Sequence, residues 1–155
     1  ILRCLVGSEM CIRDRVIFDP IQAFLGAETN SNEVGQLYSQ YCQMIATKFN
    51  TGVLSVHHMS KQGLVSTDDS MTARQSIRGA SSIIDSSRYC IAFFLCDEDT
   101  AQEVCMKQGI PYNRLAVIRA AVVKANSEAD MQIKTMVRRN GVLEVVAEDR
   151  EISWT

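Results

Sequence analysis

An amphipathic segment between two short apolar runs is the feature that most limits how this chain can fold. Over residues 33–49 the apolar positions fall at spacings of three and four, which predicts a helix with one apolar face. Ser31 or Asn32 can cap its start, and an Asn-Thr-Gly sequence ends it. The runs 16–18 and 53–56 are predicted strands. Strand, helix and strand in this order predict a βαβ unit with parallel strands and a right-handed crossover.

The segments that follow extend this unit without indicating a second domain. Residues 59–76 are polar and aperiodic, which predicts a mobile loop, and the sequence RGASSIIDSSR after them predicts a short helix. The run 89–95 is apolar without alternation, as in a strand covered on both faces. A helix over 97–108, with Thr100 as its cap, leads to a further apolar strand.

Asn140-Gly141 is the pair most favoured for a tight type I′ turn, so two final strands are expected to form a hairpin. The predicted fold class is therefore α/β, with a mostly parallel sheet and a C-terminal antiparallel hairpin.

Composition and charge narrow the class of protein. The chain has 155 residues, 46% of them hydrophobic, which suits one domain with a sizeable core. A net charge of −2 argues against a polybasic nucleic-acid binder but is compatible with local basic loops. The chain contains no apolar run of the ~20 residues that a transmembrane helix needs, so no membrane partner is expected. Six cysteines without a CxxC pair favour reduced thiols and a cytoplasmic location.

Residues 1–14 differ from the rest of the chain. The stretch CLVGSEMCIRDR has neither helix nor strand periodicity, and it resembles translated sequencing-adapter sequence. We interpret residues 1–14 as a non-native segment that stands in place of the native sequence. The native protein is expected to begin upstream of Val16, and residues 15–155 are expected to be the C-terminal portion of a longer domain.

Asp19 follows the first predicted strand, in the sequence VIFDP. A carboxylate at the tip of a hydrophobic strand lies at the edge of an open α/β sheet where ligands collect, and it can hold Mg²⁺ directly or through water. The alternative is that Asp-Pro simply ends the strand, because aspartate tolerates turns. On this stretch alone the second interpretation is favoured.

His57 and His58 are the only histidines, and they follow the second predicted strand. Adjacent side chains on a strand point to opposite faces, so the pair does not suit a shared metal ion, and no acidic or cysteine partner follows at ligand spacing. One imidazole can lie in the core. The other is expected at the carboxyl edge beside Asp19, where it can bond a γ-phosphate and report its presence to the following loop.

Basic residues follow in two places. Arg74, Arg78 and Arg88 lie within fifteen positions, and the planar guanidinium suits phosphate recognition through paired, charge-assisted bonds. Lys124 closes an apolar strand and is expected at a sheet edge. Taken one at a time, Arg74 is typical of solvated surface charge and Lys124 of a strand terminator.

Taken in order, these segments resemble the RepA-type hexameric replicative helicases, a RecA-like branch of the P-loop ATPases related to the DnaB helicases. The resemblance covers residues 16–146. Its most specific part is HHMSK followed by RGASSIIDSSR, where the family shows HH-x-x-K, then RGSS, then an aspartate three residues before an arginine.

The resemblance implies roles for five residues in ATP hydrolysis. Asp19 matches the Walker B aspartate that positions Mg²⁺ of Mg-ATP. His58, with His57 beside it, matches the sensor of the γ-phosphate. Arg88 matches the arginine finger that reaches a neighbouring subunit's nucleotide, and Lys124 resembles a second cation presented in the same way.

The resemblance also implies partners and a missing segment. Lys61, Arg74 and Arg78, on and beside the loop 59–77, are expected to hold single-stranded DNA in the channel of a homo-hexamer. The 155 residues contain no GxxxxGK[ST] sequence. The related DnaB helicases carry an arginine two residues after the lysine that matches Lys124, and this chain has Asn126 there. The phosphate-cradling loop and catalytic glutamate are therefore expected upstream, and this fragment alone is expected to hydrolyse ATP poorly or not at all.

Three other interpretations stay open at this point. A RecA-like DNA-binding ATPase could load or regulate without unwinding, or the chain could be a decayed, non-catalytic module for DNA binding or oligomerisation. The histidine pair leaves a metalloprotein as the last of these alternatives.

Overall fold

The computed structural model describes four stretches of the chain, residues 15–25, 31–59, 70–77 and 81–146. The strands in these stretches are β1 (Arg15–Phe18), β2 (Gly52–Ser55), β3 (Tyr89–Leu95), β4 (Val117–Ala125), β5 (Lys134–Arg139) and β6 (Val142–Val145). The α-helices are α1 (Gln22–Leu25), α2 (Asn32–Phe49), α3 (Ser70–Gln75), α4 (Ser81–Ser86) and α5 (Glu98–Lys107). No helix among the described residues is both long and apolar enough to cross a membrane.

The first of two compact units contains the predicted βαβ arrangement, with β1, α1, α2, β2 and α4. β1 and β2 pair in parallel, with Phe18 opposite Ser55, which confirms the sequence prediction. Ser31 caps α2 by accepting a hydrogen bond from the Val34 N–H. Asn50 ends the helix with a φ of 47°, in the left-handed region that asparagine tolerates.

α2 packs against α4 at a glycine. Gly35 is buried, and a Cβ atom placed there would clash with Oγ of Ser82 and lie 3.1 Å from Cγ1 of Ile83. The Ser82 hydroxyl in turn donates to the backbone carbonyl of Asn32 at 3.2 Å. The short α4 helix, predicted from RGASSIIDSSR, therefore lies in close contact with the helix of the βαβ unit.

The second unit contains a separate sheet in the order β3-β4-β5-β6, and each of its pairings is antiparallel. The final hairpin is confirmed, with positive φ at both Asn140 and Gly141 as a type I′ turn requires. The prediction of a mostly parallel sheet is wrong for the described strands, because β1–β2 is the one parallel pair among them. The part of the fold prediction that is confirmed is a mixed α/β architecture.

Within the part of the chain that the structure describes, one face of β3 is covered, which corrects the prediction of a strand covered on both faces. Ala92 and Phe94 lie in a core cluster with Ala73 of α3 and with Ala121 and Val123 of β4. On the opposite face Tyr89, Ile91 and Phe93 are 51%, 44% and 51% exposed. An uninterrupted apolar run therefore conceals an alternating burial pattern.

Two local predictions in the second unit need correction. Residues 70–75, predicted as part of a loop, form α3, which buries Ala73 against the sheet. Asp97, not Thr100, caps α5: its carboxylate accepts the Thr100 N–H at 2.8 Å and the Thr100 hydroxyl at 2.7 Å. Cys96, Ala101, Cys105 and Val117 form a second buried cluster between this helix and β4.

We expect Gly35→Ala to destabilise the first unit despite the higher helix propensity of alanine. The added methyl group must displace Ser82, and overpacking of this kind costs typically ~1–3 kcal/mol. Gly35→Ala/Ser82→Ala removes the clashing hydroxyl and should recover most of the loss. Gln36→Ala, at an exposed position of the same helix, is the matched control. Urea denaturation measures each variant, and a Gly35→Ala protein as stable as wild type would refute this packing.

The Asp97 cap should make stability depend on pH. The Thr100 N–H and then its hydroxyl hold the pKa of Asp97 below its ordinary value. A depressed folded-state pKa adds stability that is present above the unfolded pKa of ~3.9 and is lost as the pH falls through the folded value. Asp97→Ala should cost about 1 kcal/mol at pH 7, and the difference from wild type should shrink below pH ~4.

Asp97→Asn keeps a capping oxygen without a titrating carboxylate. Its stability at pH 7 should stay close to wild type, while the acid-dependent part disappears. Thermal unfolding from pH 7 to pH 3 compares the three proteins, and identical acid profiles for Asp97→Asn and wild type would contradict the assignment.

Candidate functional site

The candidate nucleotide-binding edge lies at the carboxyl ends of β1 and β2. The two strands end at opposed residues, Phe18 and Ser55. Beyond them the Val56 N–H donates to the Phe18 carbonyl at 2.8 Å, and the Ile21 N–H donates to the Val56 carbonyl at 2.9 Å. These bonds tie together the two segments that carry Asp19 on one side and the histidine pair on the other.

Asp19, His57 and His58 differ in their exposure to solvent. Asp19 and His58 are exposed, whereas His57 is half-buried and its Nδ1 atom is shielded from solvent. An exposed carboxylate can hold a hydrated cation, and an exposed imidazole can bond an anionic oxygen. His58 is therefore the better placed of the two for a ligand in solution, and His57 for a structural contact.

Aromatic residues of the first unit contact one another beside this edge. The Phe18 ring contacts Phe24 and Tyr38 edge to face, with ring centroids 4.9 and 6.0 Å away. The hydroxyl groups of Tyr38 and Ser55 form a hydrogen bond of 2.6 Å between α2 and β2. Burial raises the pKa of Tyr38, so the phenol stays neutral at physiological pH.

Tyr38 is one of the apolar positions, spaced by three and four, that predict α2, but this spacing does not indicate its hydrogen bond to the strand. The residue is 8% exposed, and its partner lies 17 positions along the chain. The one sequence signal for this bond is a tyrosine on the apolar face of a helix that is followed directly by a strand containing a serine.

Two of the predicted cationic residues belong to one end of the sheet in the second unit. Arg88 directly precedes β3, and its carbonyl accepts the Asn126 N–H at 3.0 Å. Lys124 lies near the end of β4, opposite Cys90. Because these strands are antiparallel, the start of β3 and the end of β4 coincide. Arg88 is exposed and Lys124 half-buried.

Arg74 joins this group through α3, where it lies in the last turn. Burial raises the pKa of the Cys90 thiol, and the charges of Arg74 and then Lys124 act in the opposite direction. Both cations are therefore within electrostatic range of Cys90. The structure thus brings Arg74 and Lys124 to the same neighbourhood, at the sheet end that Arg88 precedes.

The remaining predicted residues fall outside what can be placed. Lys61 and Arg78 lie outside the described residues. Asp19, His57 and His58 belong to the first unit, and Arg74, Arg88 and Lys124 to the second. The described part of the chain holds no group of three or more histidine, cysteine, aspartate or glutamate residues arranged to bind a metal ion.

Asp19 nevertheless fits Mg²⁺ as nucleotides carry it. Magnesium retains several waters and is bound through one or two carboxylates together with substrate phosphates. A single exposed aspartate at a strand end can therefore supply the one carboxylate that the protein must provide. The geometry alone allows a hydrated cation, an anion beside His58, or both. No family model matches this chain, and no curated protein matches it.

Removing the Tyr38 hydroxyl should loosen the support of this edge. Tyr38→Phe keeps the aromatic contact with Phe18 but loses the hydrogen bond to Ser55, which should cost ~0.5–1.5 kcal/mol of unfolding free energy. Tyr41→Phe, on an exposed position of the same helix, is the control and should change little. Equal losses in the two variants by denaturant titration would contradict a special role for Tyr38.

Proposed function

We propose that this chain is part of an ATP-dependent replicative DNA helicase of the RepA type, with a RecA-like ATPase core. One observation carries the proposal: Asp19 and His58 follow the paired carboxyl ends of two adjacent parallel strands. That placement is where open α/β sheets bind ligands, and it is the arrangement that a magnesium-holding carboxylate and a phosphate-sensing imidazole require.

In this proposal Asp19 holds the Mg²⁺ of Mg-ATP, directly or through water. His58 bonds the γ-phosphate and loses that partner on hydrolysis, while half-buried His57 fixes the backbone from the core side. Magnesium held there would neutralise phosphate charge during transfer. A strand end that gains and loses one phosphate contact can bias the loop after it between two arrangements.

The cations of the second unit serve the neighbouring subunit and the DNA. Exposed Arg88 acts as the arginine finger, and Lys124 supports it from the adjoining strand. Lys61, Arg74 and Arg78 hold the backbone of single-stranded DNA inside a homo-hexamer. Arginine and lysine suit these tasks because phosphate contacts require charge and no base recognition.

Arg88→Ala tests this assignment in the protein encoded by the complete reading frame. DNA-stimulated ATP hydrolysis should fall ~10³-fold, because a trans-acting arginine stabilises the transferring phosphoryl group. The Kd for a fluorescent ATP analogue should remain near wild type. Arg138→Ala removes an exposed arginine from β5 and should leave both quantities unchanged.

The other outcomes separate the remaining functions. Loss of nucleotide binding in Arg88→Ala would contradict a role in trans. DNA-stimulated hydrolysis by the wild-type protein without strand displacement would replace the helicase by a loader or regulator of the same fold. Absence of nucleotide binding by the wild-type protein would leave a non-catalytic DNA-binding or oligomerisation module.

A further inference from the structure

The turn that joins β5 to β6 contains a pair of residues able to react with each other. Arg139 pairs with Val142 at the end of the ladder, which leaves Asn140 and Gly141 as the two residues of the turn, and both are exposed. Glycine has no side chain to hinder an approach to its main-chain nitrogen. Because the two reacting groups belong to adjacent residues, the reaction depends on the turn itself and requires no free surface around it.

The reaction open to this pair is deamidation. The Gly141 nitrogen attacks Cγ of Asn140 and closes a five-membered succinimide, while the side-chain nitrogen leaves as ammonia with the proton that the Gly141 nitrogen loses. Water then opens the ring at one of its two carbonyl groups. Hydrolysis at Cγ gives aspartate, and hydrolysis at the main-chain carbonyl gives isoaspartate, whose main chain runs through the former side chain.

The closed turn holds the reacting atoms apart. Asn140 and Gly141 have φ values of 51° and 82°, as in a type I′ turn, whose first central residue has a ψ of about +30°. At that ψ the Gly141 nitrogen lies on the far side of the Cα–C bond from Cβ of Asn140. Ring closure therefore requires the turn to open first.

β6 is weakly held within the described part of the chain. All four of its residues are exposed. The ion pair that joins it to β5, between Arg139 and Glu144 at 3.7 Å, involves side chains that are 40% and 56% exposed, and such surface pairs contribute little. A short, exposed strand of this kind opens locally at a free energy well below that of global unfolding.

We infer that Asn140 is a site of spontaneous deamidation, gated by local opening of β6, and that isoaspartate formed there releases this end of the sheet. Isoaspartate adds one atom to the main chain of a two-residue turn, so Arg139 and Val142 no longer face each other across type I′ geometry. A hairpin that has opened and reacted in this way does not return to its original register.

Asn50 shows why conformation alone does not confer this reactivity. It is exposed and left-handed like Asn140, with a φ of 47° and a ψ of 53°. The next residue, Thr51, is β-branched and 8% exposed, and its N–H donates to the Ala46 carbonyl at 3.1 Å. The nitrogen that would attack is both crowded and hydrogen-bonded, so Asn50 should stay intact.

Incubation of the full chain at 37 °C and pH 8, followed by peptide mass spectrometry, tests the site. Asn140 should be converted at least tenfold faster than Asn50 and than Asn126, which is exposed but precedes a serine. The product should appear as two species of equal mass, aspartate and isoaspartate, that chromatography separates. Asn140→Gly, which also accepts a positive φ, should abolish both species.

The gating has its own test. Val145→Gly weakens β6 and should raise the rate at Asn140 at least threefold without changing the rate at Asn126. Gln102→Gly destabilises α5 at an exposed position away from the hairpin and should leave the rate at Asn140 unchanged. Wild type unfolded in urea should react faster at Asn140 than the folded chain, because its turn is always open.

Two results would overturn the inference. Asn140 could react no faster than Asn126 or Asn50 in the folded chain, which would remove the site. Equal acceleration by Val145→Gly and Gln102→Gly, or none by either, would remove the gating by β6. Neither result bears on nucleotide or DNA binding, so this inference and the helicase proposal stand or fall separately.

Discussion

The parallel pairing of β1 with β2 is the constraint on which the candidate site depends. Parallel strands need a crossover, and α2 supplies it with both ends capped by Ser31 and Asn50. Because the strands end in register, the residues after them emerge at one edge. A shift of the register by two residues would carry Asp19 away from the histidines by about 7 Å, beyond a shared phosphate group.

The second unit organises its charges differently. Its sheet is antiparallel, so residues far apart in sequence meet where one strand starts and its neighbour ends. Arg88 and Lys124 come together in this way, and α3 adds Arg74 near half-buried Cys90. The two sets of candidate residues therefore rest on separate sheets.

The sequence was sufficient where a local signal determined the structure. The α2 helix followed from apolar spacing, and the hairpin from Asn140-Gly141, whose conformational preference is nearly independent of context. β3 was located correctly, but its burial was not, because a continuous apolar run gives no information on which face is covered. Ala73 was missed for a similar reason: a short helix held by one buried alanine has no periodicity to detect.

The candidate site was predictable to the same extent. The strand ends placed Asp19 beside the histidine pair, because edge position follows from topology alone. The Tyr38–Ser55 hydrogen bond and the placement of Arg74 and Lys124 near Cys90 depend on tertiary packing, for which the sequence pattern holds no signal. The cap of α5 was ambiguous for a different reason, because both Asp97 and Thr100 are residues that can cap a helix. Only the structure shows that the Thr100 N–H donates and the Asp97 carboxylate accepts.

The register between β3 and β4 shifts at Val123, which lies between the partners of Cys90 and Ile91. β4 accommodates this extra residue in a bulge, and Lys124 beyond it lies opposite Cys90, with Arg74 nearby. In an unbroken pleat of the same length, Lys124 would instead share the face of Ala120 and Val122. Deleting Val123 would place Lys124 directly after Val122, in regular alternation and still opposite Cys90. The bulge is therefore a place where β4 can gain or lose one residue while this charge stays on the same side of the sheet.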